Sequence, residues 1–182
     1  MAGMIVVALW AFAEAIVLFI VADVPISALA LRHGWKAGWR AAGLAAVCAA
    51  FGGLLVIAWA RTDPAGARET IAALPGISSE LTTQAADDFR SGGWLAMLAG
   101  SFSGTPYKLY ALAAESDGSG LPGFFVTSIF ARLPRFLLVA AVFSATGSAI
   151  RHRLPSWLIA VLFALGWSLF YAWYFMQLGA LP

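Results

Sequence analysis

Two stretches of this chain, Ala41 to Ala60 and Leu154 to Pro182, contain no charged residue. A helix of about 20 apolar residues matches the roughly 30 Å hydrocarbon core of a bilayer, where the backbone must satisfy its own hydrogen bonds. Both stretches therefore predict membrane-crossing helices. The whole chain agrees: 62% of its 182 residues are hydrophobic and 11% are charged. A typical soluble domain has about 45–50% and about 25%. This balance excludes a soluble globular enzyme and excludes disorder. The expected fold class is all-α integral membrane, one membrane domain over residues 1–182.

The first stretch, Met1 to Leu31, is apolar apart from Glu14 and the sequence Asp23-Val24-Pro25. It lacks the positive leading region of a cleaved signal, so Met1 onward reads as mature protein. As one straight helix it would be about 46 Å long, more than one crossing needs. Pro25 removes a backbone donor and disfavours helix at Val24. A first hairpin over 1–31 is expected, broken around residues 19–24 with Pro25 at its turn. The span 41–60 follows, with Gly43, Gly52 and Gly53 suited to close helix contact. Residues 61–90 are polar and punctuated by Pro64 and Pro75, and Ser79 is placed to start an interfacial helix. Residues 91–114 predict a second hairpin turning at Gly104 and Pro106. Spans over 121–150 and 154–180 complete the chain, and Trp167, Tyr171, Trp173 and Tyr174 mark an aromatic belt on the last.

Charge sorts these segments by side. Loop 32–40 holds Arg32, Lys36 and Arg40, and loop 151–153 holds Arg151 and Arg153, neither with an acid. Segments 61–90 and 115–117 each carry net −2. The positive-inside rule places loops 32–40 and 151–153 in the cytoplasm and the acidic segments outside. Spans 41–60 and 121–150 then cross in opposite directions, so 91–114 must leave and return on one side. It is expected to be a re-entrant hairpin. Pro25 precedes Ala28-Leu29-Ala30, and Pro106 precedes Ala111-Leu112-Ala113. That echo suggests a hairpin-plus-span unit repeated with inverted topology, a device of transporters, with an additional C-terminal transmembrane helix.

Five ionisable residues fall at membrane depth: Glu14, Asp23, Lys108, Arg132 and Arg135. Each costs at least about 2.5 kcal/mol there unless it finds a partner or a wet cavity. Arg132 and Arg135 are three apart and share a helix face, with Pro134 between them to loosen the helix. Two guanidiniums on one face repel unless an anion sits against them, and arginine suits carboxylate or phosphate. One reading has Glu14 and Asp23 neutralise the arginines and fix the packing. The other makes the set a transport site, the arginines holding an anionic headgroup while a carboxylate exchanges a proton. Lys108 is the residue of the five expected to snorkel to an interface.

Other chemistries lack a pattern. Gly100-Ser101-Phe102-Ser103-Gly104 has the wrong spacing for a nucleophile elbow, and His33 and His152 lie in the basic turns. The lone Cys48 makes neither an internal disulfide nor a cysteine metal site. There is no phosphate-binding loop and no basic run for nucleic acid. We expect no enzyme activity, no cofactor and no metal. The expected partners are membrane lipid with an anionic headgroup and protons, and the glycine-rich faces allow a homo-oligomer.

Three short motifs carry a family resemblance. Phe12-Ala13-Glu14 through Asp23-Val24 resembles the first hairpin of the DedA family, the bacterial branch of the VTT-domain (SNARE-associated) membrane proteins, and of its short YqaA-like members above all. Gly104-Thr105-Pro106-Tyr107-Lys108 is similar to the second-hairpin motif, and Arg132-Leu133-Pro134-Arg135-Phe136 to the R-x-x-R-F of the following helix. The three occur in matching order over nearly the whole chain. The resemblance implies an inner-membrane protein with two re-entrant hairpins meeting tip to tip. It also implies translocation of lipid, such as undecaprenyl phosphate or phospholipid, with Glu14, Asp23, Arg132 and Arg135 as functional residues and coupling to protons. On the residues alone two alternatives stay open: a proton-coupled transporter of a small ion or drug, and a non-transporting protein of envelope assembly.

Overall fold

Apolar runs interrupted by glycine, proline and polar caps become helices with short breaks. In a computed structural model of the protein, which describes residues 1–116 and 120–179, nine helices account for all the regular structure. The first two, α1 (Ala2–Ile16) and α2 (Asp23–His33), fold back on each other, and α3 (Trp35–Thr62) follows after one residue. Gly34 makes that corner at φ 77°, a left-handed conformation that favours glycine. Two short polar helices come next, α4 (Pro64–Ala72) and α5 (Ser79–Gly92). Then α6 (Trp94–Ser103) and α7 (Tyr107–Ser116) fold back in the same way, ahead of α8 (Leu121–Ile150) and α9 (Ser156–Gly179). Gly104, at φ 93°, turns the chain between α6 and α7.

Among the described residues three helices are long and apolar enough to cross a membrane: Trp35–Thr62, Leu121–Ile150 and Ser156–Gln177. The described structure is thus all-helical with three candidate spans, in the positions expected for 41–60, 121–150 and 154–180. The details differ in physically informative ways. The first break occupies 17–22 rather than 19–24, and Pro25 is not at the turn. It sits in the first turn of α2, where the amide it lacks would have had no intrahelical partner. Residues 32–40 are not a loop: they form the end of α2 and the start of α3, with only Gly34 between. Residues 61–90 are mostly helical. Asp63 caps α4 by accepting from the Gly66 amide at 3.0 Å, with Pro64 at the first position. Ser78 caps α5, its hydroxyl accepting from the Leu81 amide at 3.1 Å, so that helix begins at Ser79 as expected. Of the acidic segment 115–117, Glu115 and Ser116 end α7, while Asp117 lies outside the described residues, as does Ala180 in the last span.

The centre of the molecule is an antiparallel pair, α3 against α8. Gly38 of α3 lies against Ala140 and Ser144 of α8, and Phe51 further along α3 meets Phe125 near the start of α8. The buried face of α3 is built almost entirely of alanine and glycine, including Ala41, Ala45, Ala49, Gly52 and Gly53. Helices in lipid gain little from burying apolar surface against each other, so backbone approach and van der Waals contact decide the packing. Gly147 of α8 abuts the backbone of Leu31, leaving no room for a Cβ. The two fold-back units pack reciprocally, α2 on α8 and α7 on α3. Arg151 donates to the Leu31 carbonyl at 3.2 Å and lies beside Gly34, so the two basic segments meet at one end. The α4–α5 segment packs at the other, where Phe89 meets Tyr110 and Phe124.

Candidate functional site

The 17–22 break leaves backbone polar groups that a helix would have paired. Three side chains from three different helices reach them. Trp10 Nε1 of α1 donates to the Ile20 carbonyl at 2.9 Å. Lys108 Nζ of α7 donates to the Leu18 carbonyl at 3.0 Å. Tyr171 Oη of α9 accepts from the Val21 amide at 2.9 Å. The break is held open by its neighbours rather than by its own sequence.

Directly behind it, Glu14 closes α1 and Asp23 opens α2, and α8 presents Arg132 and Arg135 to them. Arg132 Nη2 donates to Glu14 Oε2 at 2.5 Å. Arg135 donates to Asp23 Oδ2 through Nε at 3.0 Å and also through Nη2. Its Nη1 donates to the Ser101 carbonyl of α6 at 2.5 Å. The i, i+3 spacing does put both guanidiniums on one face. Pro134 lies between them inside an unbroken α8, so it removes one backbone hydrogen bond without ending the helix.

Four of the five charges expected at membrane depth are therefore two cross-helix ion pairs, and the fifth stands beside them. Lys108 does not snorkel. It is 4% exposed, because α7 starts immediately after the Gly104–Pro106 turn and points its second residue into the molecule. Gly104 and Pro106 lie between α6 and α7, and both border the cavity that the charges line.

Tyr107 was not singled out by charge or spacing, yet it shapes the site. The Arg132 guanidinium lies over its ring, 4.6 Å from the centroid, and 5.0 Å from that of Phe136. Tyr107 Oη pairs with Ser128 Oγ at 2.7 Å, and the ring rests on Gly53, where a Cβ would collide with it. Its place in the motif before Lys108 was the available signal. Ser101 acts through its carbonyl, for which a sequence carries no mark. Tyr171 and Tyr174, read as part of an aromatic belt, turn inward to the cavity, whereas Trp173 is exposed.

The cavity encloses ≈ 130 Å³ and is bordered by Glu14, Asp23, Lys108, Arg132 and Arg135. Two buried polar atoms of this set have no hydrogen-bond partner among the described residues: Arg132 Nη1, a donor, and Asp23 Oδ1, an acceptor. With three basic and two acidic side chains, the set is one negative charge short of balance when all are ionised. Such a site can take an anionic group that reaches Arg132, and can pass a proton to or from Asp23. Among the described residues no group of three or more His, Cys, Asp or Glu side chains gathers as metal ligands would. Comparisons with protein-family models, curated proteins and solved structures gave no match.

Proposed function

We propose that the protein translocates an anionic lipid, flipping or scrambling it across a bacterial inner membrane, as the resemblance to the DedA family implies. In this reading the α1–α2 and α6–α7 units are re-entrant hairpins of an inverted repeat, and the basic ends at 32–40 and 151–153 face the cytoplasm. A phosphate headgroup, of undecaprenyl phosphate or a phospholipid, binds Arg132 and Arg135 while its tail stays in the bilayer. Glu14 and Asp23 compete with it for the arginines, and one of them takes up a proton as the headgroup binds. The observation that carries this reading is the unpartnered Arg132 Nη1 in a buried cavity where basic groups outnumber acids. A buried arginine donor without an acceptor is costly, and a phosphate oxygen would supply one.

The test is translocation of labelled lipid in liposomes. Wild-type protein is expected to move a polyprenyl phosphate or an anionic phospholipid, and Arg132→Ala and Arg135→Ala to abolish movement. Variants that move lipid as fast as wild type would refute it. A structural reading is favoured by one fact, that each guanidinium already has a carboxylate partner. It expects the exchange Glu14→Arg with Arg132→Glu to restore function, which a phosphate site would not tolerate.

A further inference from the structure

One side of the cavity is α9, and that helix is held differently from the rest. Its inward residues form one narrow stripe at helical spacing: Ile159, Phe163, Trp167, Tyr171 and Tyr174. Only Ile159 of these is fully buried, while Leu165, Leu169, Trp173 and Met176 stand exposed on other faces. The spans α3 and α8 each bury far more of themselves inside the molecule.

The stripe touches the site at one place. Tyr171 Oη accepts from the Val21 amide, and the Phe19 ring, at the apex of the 17–22 break, sits against Tyr171, Tyr174 and Phe175. Phe170, Tyr171 and Tyr174 form the cavity wall there. One turn back along the stripe, Trp167 Nε1 is buried without an acceptor among the described residues. An unmade hydrogen bond marks a seat that packing has not perfected.

Taking the lipid reading of the cavity as given, we propose that α9 is a lateral door. Its latch is the hydrogen bond of Tyr171 with Val21 and the packing of Phe19 on Tyr171, Tyr174 and Phe175, and behind it a bilayer-held ligand reaches Arg132. A headgroup whose tail remains in lipid needs an opening between helices, not a water-filled tunnel. The wall that would have to part is the one attached by one hydrogen bond and ring contacts. Of the other walls, α1, α2 and α8 are cross-linked by the two ion pairs, α6 and α7 are tied in by the Ser101 and Lys108 hydrogen bonds, and the 74–77 connection lines the rest. Opening exposes the Val21 amide, and the orphaned Trp167 indole gains the chance of a partner.

The experiment reads access rather than transport. In a Cys48→Ala background, Ser101→Cys places a thiol at the cavity. Labelling in proteoliposomes is followed with a bilayer-soluble pyrene maleimide and, separately, a charged water-soluble methanethiosulfonate. Tyr171→Phe combined with Phe19→Ala is expected to raise maleimide labelling about tenfold, the scale of one lost hydrogen bond with its ring contacts. The charged reagent's rate should not change. Unchanged maleimide labelling, or an equal rise with the charged reagent, would overturn the proposal, the second by showing that the wall opens to water. Should the double variant lose its helical signal, Tyr171→Phe alone carries the test with a smaller rise expected. If labelling behaves as expected but Arg132→Ala still moves lipid, the door stands and the arginine site falls. Loss of lipid movement with no change in labelling is the reverse.

Discussion

Lys108 Nζ donates a 3.0 Å hydrogen bond to the carbonyl of Leu18, ninety residues earlier in the chain. The bond joins the second fold-back unit to the break in the first, so the two units are tied where each changes direction. It also explains how a lysine stays buried beside two arginines. The ammonium is spent on a carbonyl that has lost its helical partner, and a charged donor satisfies such a carbonyl better than a neutral one does. Removing it should loosen the break before anything else. Lys108→Met is expected to destabilise the protein by about 1.5–3 kcal/mol, the range for hydrogen bonds to charged groups. Faster hydrogen–deuterium exchange confined to residues 17–22 is the signature, and unchanged exchange there would count against the tie.

The Arg132–Glu14 pair is buried on both sides, with side-chain exposures of 8% and 10%. Removing one partner of such a pair strands the other charge and typically costs about 3–5 kcal/mol. Glu14→Ala combined with Arg132→Ala should therefore lower thermal stability in detergent by less than the sum of the losses of the two single variants. A coupling of about 1–3 kcal/mol is expected from the double-mutant cycle. Simple additivity would mean that the two side chains do not interact in the folded protein.

Tyr107 stands between Gly53 and Arg132, so a methyl group on α3 should be felt at the arginine. Gly53→Ala pushes its Cβ into the Tyr107 ring and hydroxyl, an overpacking expected to cost about 1–3 kcal/mol. Adding Tyr107→Phe removes the atom that would lie nearest and should recover part of that loss. The Tm of the double variant above that of Gly53→Ala checks this; no recovery would show that the ring contact is not what Gly53 accommodates.

Two other glycines give opposite expectations. Gly43 of α3 has open space where a Cβ would go, and Gly147 of α8 has the Leu31 backbone. Gly43→Ala should raise stability by up to about 1 kcal/mol through helix propensity alone. Gly147→Ala should lower it sharply, because backbone cannot swing aside as a side-chain tip can. Thermal unfolding of the two variants side by side decides the matter, and equal effects would contradict the α2–α8 contact.

How far the sequence reached depended on the kind of residue. The helix over 121–150 was legible to the residue, since a long apolar run, broken only by Arg132 and Arg135, lies between Gly120 and the basic Arg151–Arg153 segment. The first break was legible only as a break. Pro25 marks a helix start as readily as a turn, so its presence could not say on which side of Asp23 the chain bends. The candidate charges were legible because a charge in an apolar run is conspicuous. Ser101 was not, since it contributes a carbonyl that every residue has.

By itself, then, the sequence determined helices with three candidate membrane spans among the described residues, and which charged residues fall inside apolar runs. Those are one-dimensional properties: the length and polarity of a run set its free energy in a given solvent. Only the tertiary structure decided that Arg132 meets Glu14 and Arg135 meets Asp23, that Lys108 turns inward, and that α9 rests on the break through Tyr171. Pairing depends on which backbones approach closely enough, and that was decided by alanines and glycines such as Gly38, Gly52 and Gly147.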